Sequence, residues 1–291
     1  MSNSGTGYWE DERVGGEELI TNAQCPMPNA QCPMPNSKGK PTMTTLTQDY
    51  QITWEKLPDD YKLPDDPVDN INQPALAAAL TESLQLVGKI STNTLTTTNY
   101  GICATLNNKM VIKAPDWAFI AKINVSREEV TRSYTPQLQG EIPVIVMEFI
   151  SDTQETEYSI KATYPPGKWF FYERILKVPN YIIFEPDSGS IEMYRLHNTE
   201  QYILQEPDEN QRYWIAEMNL YLGVWQGTRE NRTGKWLRWW DEQGNLLPWG
   251  SELAEQERQR AEQERQRAEQ ERQRAERLTA QLRAAGIEPE V

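Results

Sequence analysis

The amino-acid sequence predicts a mixed α/β fold, in which a mixed sheet is flanked by helices and followed by a long C-terminal helix. Apolar residues at helical spacing between Gln73 and Val87 indicate an amphipathic helix. A nearly continuous apolar run at 143–150 is typical of a buried central strand. A charged, repetitive stretch at 251–285 indicates a helix that is stable in solvent. The order of these elements favours a single mixed α/β domain before the C-terminal helix.

The first helix has a well-defined apolar face. Leu76, Leu80, Leu84 and Val87 fall on one side at helical spacing, and we expect this side to face the core. Glu82 lies off that face and is predicted to be solvated.

The elements between this helix and the C-terminal stretch alternate between strand and helix patterns. Residues 100–121 predict two or three strands with a turn at Asn107–Asn108. Lys168 to Lys177 predicts a second helix, which ends before Pro179 because the residue preceding a proline disfavours helical geometry. Further strands are predicted at 181–184 and 191–196, with short ones to about residue 240.

The ends of the chain differ in composition from its middle. Within residues 1–42, Asn22–Pro28 is repeated as Asn29–Pro35, and its prolines argue against helix or central strand. A perfect seven-residue repeat is what an in-frame nucleotide repeat would produce. We therefore hypothesise that 1–42 is a disordered translated leader, with paired cysteines binding a metal as the less favoured alternative. The predicted units are this leader, a domain at 43–250 and a helical tail at 251–291.

The tail repeats Ala-Glu-Gln-Glu-Arg-Gln-Arg from residues 254, 261 and 268. Ser251 is the predicted cap and Gly286 the predicted stop. Alanine and glutamate at the would-be core positions bury too little for a tight coiled coil, whereas Glu257 and Arg260 begin a series of supporting pairs. The tail is therefore expected to be a solvated spacer or a weak coiled-coil arm, compatible with a homo-oligomer.

Composition excludes several classes of function. The 291 residues contain three cysteines and one histidine, which excludes a disulfide framework, a four-ligand zinc site and any mechanism that needs two histidines. No Gly-rich phosphate loop occurs. No apolar stretch approaches the roughly 20 residues that span a bilayer, and no secretory signal is visible, so we expect a cytoplasmic protein without membrane contact.

The net charge of -14 makes the chain a poor non-specific ligand for nucleic acid, because phosphate attraction dominates that affinity. Any contact with DNA is therefore expected to be local, metal-bridged, or made by an oligomer with a separate basic face.

Two carboxylates and a lysine are the strongest candidates for chemistry. Asp116 and Glu148 lie in β-rich apolar runs, where a charge is costly unless something pairs with it, and Lys168 begins the second predicted helix. A shared Mg²⁺ (or Mn²⁺) would pair with both carboxylates. The lysine would then stabilise charge developing on a phosphate, which is the chemistry of a metal-dependent phosphodiesterase.

A structural alternative uses the same residues. Asp116 would cap a turn and Glu148 would form a buried salt bridge with Lys168, without any metal. A buried ion pair is an expensive way to obtain stability, which favours the functional interpretation. A nuclease that has lost its activity would nevertheless keep the same residues.

A second candidate surface lies between Asn219 and Trp249, a segment rich in tryptophan. Arg232, Lys235 and Arg238 are interleaved with these rings, and together they are candidates for nucleic-acid contact by base stacking. The favoured alternative is that the tryptophans form an edge of the core, with Arg238 in a cation–π contact.

Taken together, five short motifs in 70–250 carry a family resemblance. They are Pro115–Asp116, Glu148–Ser151, Lys168–Tyr172, Val178–Tyr181 and Glu185–Pro186. In this combination the chain resembles the Uma-two family of restriction endonuclease-like proteins, which belongs to the PD-(D/E)XK nuclease superfamily. The charged heptad tail is also often seen in such proteins.

The resemblance implies a restriction-endonuclease-like sheet and a DNA substrate. Asp116 and Glu148 would be metal ligands for magnesium or manganese, and Lys168 would be the catalytic lysine, with Ser151 and Tyr172 in support. The superfamily's usual lysine lies two residues after the glutamate, where this chain has Ile150, so the lysine would act from the helix.

The segment before that helix is longer than usual for the family. It contains Glu155, Glu157 and Lys161, which either join the site or decorate a loop. An acidic residue often precedes the first helix in the family, and only Asp66 or Asp69 could serve here. We assign neither of them a role.

Two functions follow as hypotheses. The first is a magnesium-dependent DNA endonuclease that hydrolyses phosphodiester bonds. The second is a catalytically decayed nuclease fold that acts as an interaction or scaffold protein through its helical tail. The acidic charge, the lysine missing from its usual position and the long repeat favour the second.

Overall fold

The structure, a computed structural model, describes residues 51–58, 72–150 and 155–286. The predicted leader and the predicted supporting residue Ser151 lie outside these described residues, so the predictions made for them are not tested.

The described residues form three helices, α1 (Asn72–Leu86), α2 (Lys168–Phe170, continued by a π-helical segment Phe171–Leu176) and α3 (Gly250–Ala284), and short 3₁₀ turns at Arg127–Val130 and Glu155–Tyr158. The strands are β1 (Ile52–Thr53), β2 (Leu95–Thr97), β3 (Ile102–Leu106), β4 (Lys109–Lys113), β5 (Trp117–Ile120), β6 (Ile145–Phe149), β7 (Asn180–Glu185), β8 (Ser190–Leu196), β9 (Tyr202–Leu204), β10 (Arg212–Ile215), β11 (Leu220–Arg229) and β12 (Arg232–Trp240). The predicted mixed α/β class with a long C-terminal helix is confirmed.

A six-stranded mixed sheet in the order β2-β5-β6-β7-β8-β9 is the centre of the fold. Only β6 and β7 pair in parallel, with Met147 opposite Ile182, and the other neighbours are antiparallel. A parallel pair requires a crossover connection, which here contains α2. Every residue of β6 is buried, as the apolar run predicted.

Two three-stranded antiparallel sheets, β1-β3-β4 and β10-β11-β12, complete the architecture. The hairpin between β3 and β4 turns at Asn107 and Asn108, whose φ angles are 49° and 60°. Asparagine tolerates this left-handed geometry better than most residues, so the predicted turn is confirmed.

Side chains that alternate along the strands divide the core between the two faces of the central sheet. Met147 and Phe149 belong to a cluster with α1 and with the tryptophans of β12. Val146 belongs to a second cluster with β3, β4 and α2. Because Glu148 has the same parity as Val146, its side chain points to the α2 face.

Helix α1 packs through the predicted face, with two corrections. Leu76, Leu80 and Leu84 are buried, but Val87 is 42% exposed because it follows the last helical residue. Glu82 was predicted to be solvated, and this is wrong. Its carboxylate pairs with Arg229 at 2.7 Å and accepts a hydrogen bond from the backbone N–H that opens α3.

Arg238 anchors the start of α3 to the domain. Its guanidinium is buried, lies 3.5 Å from the centroid of the Trp249 ring and pairs with Glu252 at 2.8 Å. It also donates to the Leu247 carbonyl at 2.7 Å. Arg238 is therefore unavailable to a nucleic acid, and the prediction of a contact there is wrong. The alternative of a tryptophan-rich core edge with a cation–π contact is confirmed.

The N-cap of α3 lies two residues earlier than predicted. Trp249, not Ser251, is the N-cap, and its backbone N–H donates to Glu252 Oε2 at 2.8 Å. One carboxylate thus satisfies both a free helix N–H and the buried Arg238 guanidinium. Coupling the cap to the core fixes where α3 leaves the domain.

Beyond this anchor, α3 is a solvated rod of 35 residues, about 50 Å long. Its surface carries i,i+3 ion pairs, including the predicted Glu257–Arg260 at 2.9 Å and Glu269–Arg272 at 3.1 Å. Within the described part of the chain, no helix is long and apolar enough to cross a bilayer.

We expect Glu252→Gln to destabilise the protein by about 2 kcal/mol, because it leaves the buried Arg238 without its counter-charge. Chemical denaturation of the full chain measures this change. Glu255→Gln is the matched control, since Glu255 pairs with Arg258 on the exposed surface of the same helix. If the wild type and the Glu252 variant were equally stable, the Glu252–Arg238 pair would not stabilise the fold.

The same pair predicts a dependence on pH. Burial by itself raises the pKa of Glu252, but the Arg238 guanidinium and the Trp249 N–H more than offset burial, so the pKa is lowered. A lowered pKa gives stability that is present above the unfolded-state value of about 4.3 and is lost as the pH falls through the folded-state pKa. We therefore expect the stability difference between wild type and Glu252→Gln to shrink below about pH 4.3. Denaturation at pH 7 and at stepwise lower pH tests this, and a difference that grows on acidification would refute it.

Candidate active site

Strand pairing places the two predicted carboxylates side by side. Asp116 directly precedes β5, and the antiparallel register that pairs Trp117 with Met147 sets it opposite Glu148 on β6. Directly opposed residues on one sheet face have Cβ atoms about 5 Å apart. Asp116 Oδ2 also accepts the Phe149 backbone N–H at 2.6 Å, which fixes the orientation of this carboxylate.

Helix α2 brings Lys168 and Tyr172 to the same carboxylate. Lys168 Nζ lies 2.9 Å from Glu148 Oε2, and the Tyr172 hydroxyl donates to Glu148 Oε1 at 3.0 Å. The two residues are four apart and therefore share one helix face. The structure thus assembles Asp116, Glu148, Lys168 and Tyr172 in one place.

Gly167 permits the close approach that positions this helix. A Cβ atom at Gly167 would lie 2.0 Å from the Ser159 carbonyl oxygen, so only glycine fits. Phe171 and Ile175 are buried against the sheet and hold the π-helical segment in place. Such segments are frequent at functional sites, and here the segment begins between Lys168 and Tyr172.

A third carboxylate belongs to the cluster. Glu157, in the 3₁₀ turn before α2, is 7% exposed, and its Oε1 lies 3.2 Å from Lys168 Nζ. Tyr181 holds the turn by donating its hydroxyl to the Glu157 carbonyl at 3.0 Å. The sequence left open whether Glu157 joins the site or only decorates a loop, and the structure places it in the site. Spacing alone did not reveal this, because the intervening chain folds back over the sheet.

Sequence reasoning missed Lys113 altogether. It is the last residue of β4, three positions before Asp116, and is half-buried. Burial lowers its pKa, the charge of Lys168 lowers it further and the charge of Glu148 opposes this, which places Lys113 within electrostatic range of the site. The sequence feature that could have identified Lys113 is its position just before the Pro115–Asp116 motif.

Burial dominates the electrostatics of the carboxylates. Glu148 is fully buried, which raises its pKa to about 8 against the opposing effect of Lys168. Burial likewise raises the pKa of Asp116 to about 6, opposed by the Phe149 N–H and by Lys168. Both groups therefore gain free energy from a nearby cation.

The effect of burial on the pKa of Lys168 is outweighed by the neighbouring carboxylates. Burial lowers its pKa, but the carboxylates of Glu148 and Glu157 more than compensate, so the net pKa is raised. Lys168 is therefore an ammonium at neutral pH. It can donate hydrogen bonds and neutralise charge, but it cannot act as a general base.

The donor set suits a hard divalent cation. Glu148 and Asp116 offer carboxylate oxygens, and Asp116 Oδ1 takes no hydrogen bond from the described residues. No group of three or more acidic, histidine or cysteine side chains in the described ranges is arranged to hold a metal. Magnesium is usually held by one or two carboxylates together with waters and substrate phosphates, so two such ligands fit it, and manganese accepts the same ligands.

The other predicted contacts lie on β12. Lys235 donates to the carbonyls of Asp187 and Ser188 in the turn between β7 and β8. Arg232 is the first residue of β12 and is half-buried. Contact of Arg232 and Lys235 with nucleic acid stays a prediction.

The family comparison agrees with this geometry. The model of the Uma2 family, described as "Putative restriction endonuclease", matches residues 84–229, which include Asp116, Glu148, Lys168 and Tyr172. No curated protein matches the chain. The match spans half of the chain and all six strands of the central sheet. The chain therefore belongs to the Uma2 family of restriction endonuclease-like proteins.

Proposed function

We propose that the protein is a magnesium- or manganese-dependent endonuclease that hydrolyses phosphodiester bonds in DNA. The observation that carries the proposal is the pair Asp116 and Glu148, opposed on adjacent strands, with the Lys168 ammonium 2.9 Å from the buried Glu148. Family membership supports the nuclease class, and the donor chemistry supports the cation.

Asp116 and Glu148 would hold the cation, and their surroundings pre-organise them for it. The Phe149 N–H holds Asp116 Oδ2, and the Tyr172 hydroxyl holds Glu148 Oε1. Groups that orient metal ligands in this way fix the site before substrate arrives. A bound magnesium ion would supply an activated water and neutralise charge on the scissile phosphate.

Lys168 would stabilise the charge that develops on the phosphate oxygens. Its raised pKa keeps it protonated, and Glu148 and Glu157 hold its Nζ between them. An ammonium that is already positioned beside a ligand carboxylate needs little reorganisation during the reaction. The helix-borne lysine thereby replaces the one that the superfamily usually carries on the strand, where this chain has Ile150.

One contact in the structure adds to the sequence features that favour the decayed-nuclease alternative. Lys168 already has two carboxylate partners, which satisfies the buried Glu148 without a metal, as the structural alternative required. In that case the solvated helix α3 would carry the interactions of the protein. Metal binding distinguishes the two functions.

We expect calorimetry on the full chain to show Mg²⁺ or Mn²⁺ binding that Glu148→Gln abolishes, since the substitution removes a charged ligand. Glu141→Gln is the control, because Glu141 is an exposed carboxylate outside the cluster. Thermal melting verifies that each variant is folded. If the wild type binds neither ion, even with DNA present, the decayed-nuclease alternative is favoured.

Lys168→Met should lower the rate of DNA cleavage by about 10²–10³-fold, the usual effect of removing one donor that stabilises transition-state charge. The control is Lys177→Met, which removes an exposed lysine that follows the same helix and pairs with Glu200. Single-turnover cleavage of a labelled duplex measures both rates. Undiminished cleavage by the Lys168 variant would reject its role.

A further inference from the structure

Three lysines lie on the two chain segments that lead to Asp116 and to Lys168, in a chain that is otherwise strongly acidic. Lys109 and Lys113 are the first and last residues of β4, and Lys161 is exposed in the segment that precedes α2. The net charge of -14 makes such a local cluster unusual for this protein. We call these three residues the basic rail.

The two segments that carry the rail are tied together. The Lys109 ammonium lies 5.1 Å from the centroid of the Tyr164 ring, and the Tyr164 hydroxyl donates to the Met110 carbonyl at 3.0 Å. The segment with Lys161 is therefore held against β4, and the lysines keep a fixed spatial relation to the Asp116–Glu148 pair.

Lys113 has no direct ionic or hydrogen-bond partner among the described residues, although the charge of Glu148 attracts it. Its side chain is half-buried, and in contrast to it Lys168 has two carboxylate partners. Burial lowers the pKa of Lys113 most, and the charges of Lys168 and Lys161 lower it further, against the opposing attraction of Glu148. A polyanionic ligand would relieve this repulsion.

The spacing suits a nucleic-acid backbone. Lys109 and Lys113 are four residues apart on a strand, or about 13 Å. This span equals the axial rise of about four nucleotides along one strand of B-DNA. The rail continues toward Asp116, three residues beyond Lys113, so a strand lying on it would lead to the carboxylate pair.

We propose that the basic rail binds the phosphate backbone of duplex DNA and guides it to the Asp116–Glu148 pair, with Lys113 and Lys161 as direct phosphate contacts. The inference rests on the proposed function, because it states where the substrate of that site lies. It also explains how a strongly acidic chain holds DNA: the contact is local. Phosphate contacts of this kind fix position and carry no sequence information.

The test is the salt dependence of binding to a fluorescein-labelled DNA duplex, measured by anisotropy with the full chain in EDTA. Lys113→Gln and Lys161→Gln should each reduce the slope of log affinity against log salt by about 0.9, because each removes one phosphate contact. Lys113→Arg keeps the charge and should restore the wild-type slope.

Lys122→Gln is the matched control. Lys122 is an exposed lysine just beyond the far end of β5, about 20 Å along the strand from Asp116. Its substitution should leave the slope unchanged, and thermal melting of every variant verifies that it is folded. Slopes that stay at the wild-type value in both glutamine variants, or a Lys122 variant that changes the slope equally, would overturn the proposal. So would a wild type that does not bind the duplex, or that prefers an RNA duplex of the same sequence.

Cleavage in Mg²⁺ or Mn²⁺ separates this inference from the proposed function. If the wild type cleaves DNA while the slopes are unchanged, the rail is wrong and the catalytic assignment stands. If the slopes change as expected while the wild type neither binds metal nor cleaves, the rail is correct and the catalytic assignment fails.

Discussion

The burial of Glu148 in the middle of the central sheet is the constraint on which the site depends. A carboxylate at this position must either take a proton or find positive charge and hydrogen bonds. The Lys168 ammonium and the Tyr172 hydroxyl meet that requirement from one helix face, and Gly167 lets the helix approach closely enough for them to do so. The crossover between β6 and β7 is thus the element that completes the site.

Arg238 shows how the same fold treats a buried charge with a structural role. Its guanidinium is enclosed by Trp249, paired with Glu252 and bonded to the Leu247 carbonyl. All of these partners serve to hold α3 on the domain. Around Glu148 the arrangement differs, because Lys168 is shared with Glu157 and the carboxylate lies opposite a second acid, Asp116. Charges grouped in this way favour an additional cation, and this separates a candidate active site from an anchor.

Local sequence patterns predicted most of the helices, strands and turns correctly, because the spacing of apolar residues and the residue preferences of turns depend on only a few neighbouring residues. The apolar run of β6, the Asn107–Asn108 turn and the long α3 all follow from such signals. What local patterns did not predict were the ion-pair partners of some buried or half-buried charges. Glu82 was misjudged, and the pairing of Arg238 with Glu252 was not foreseen, because the partners Arg229 and Glu252 lie on other elements that only the packed chain brings near.

The sequence by itself determined the fold class, the solvated character of the tail and the residues Asp116, Glu148, Lys168 and Tyr172 as candidates, since residue type and short spacing carry that information. Only the tertiary structure decided which side chains meet. The β5–β6 register set Asp116 opposite Glu148, and the chain before α2 folded Glu157 onto Lys168. Strand β4 brought Lys113 within electrostatic range of Lys168 and Glu148. Contacts between residues distant in sequence depend on strand register and crossover geometry, which no local pattern specifies.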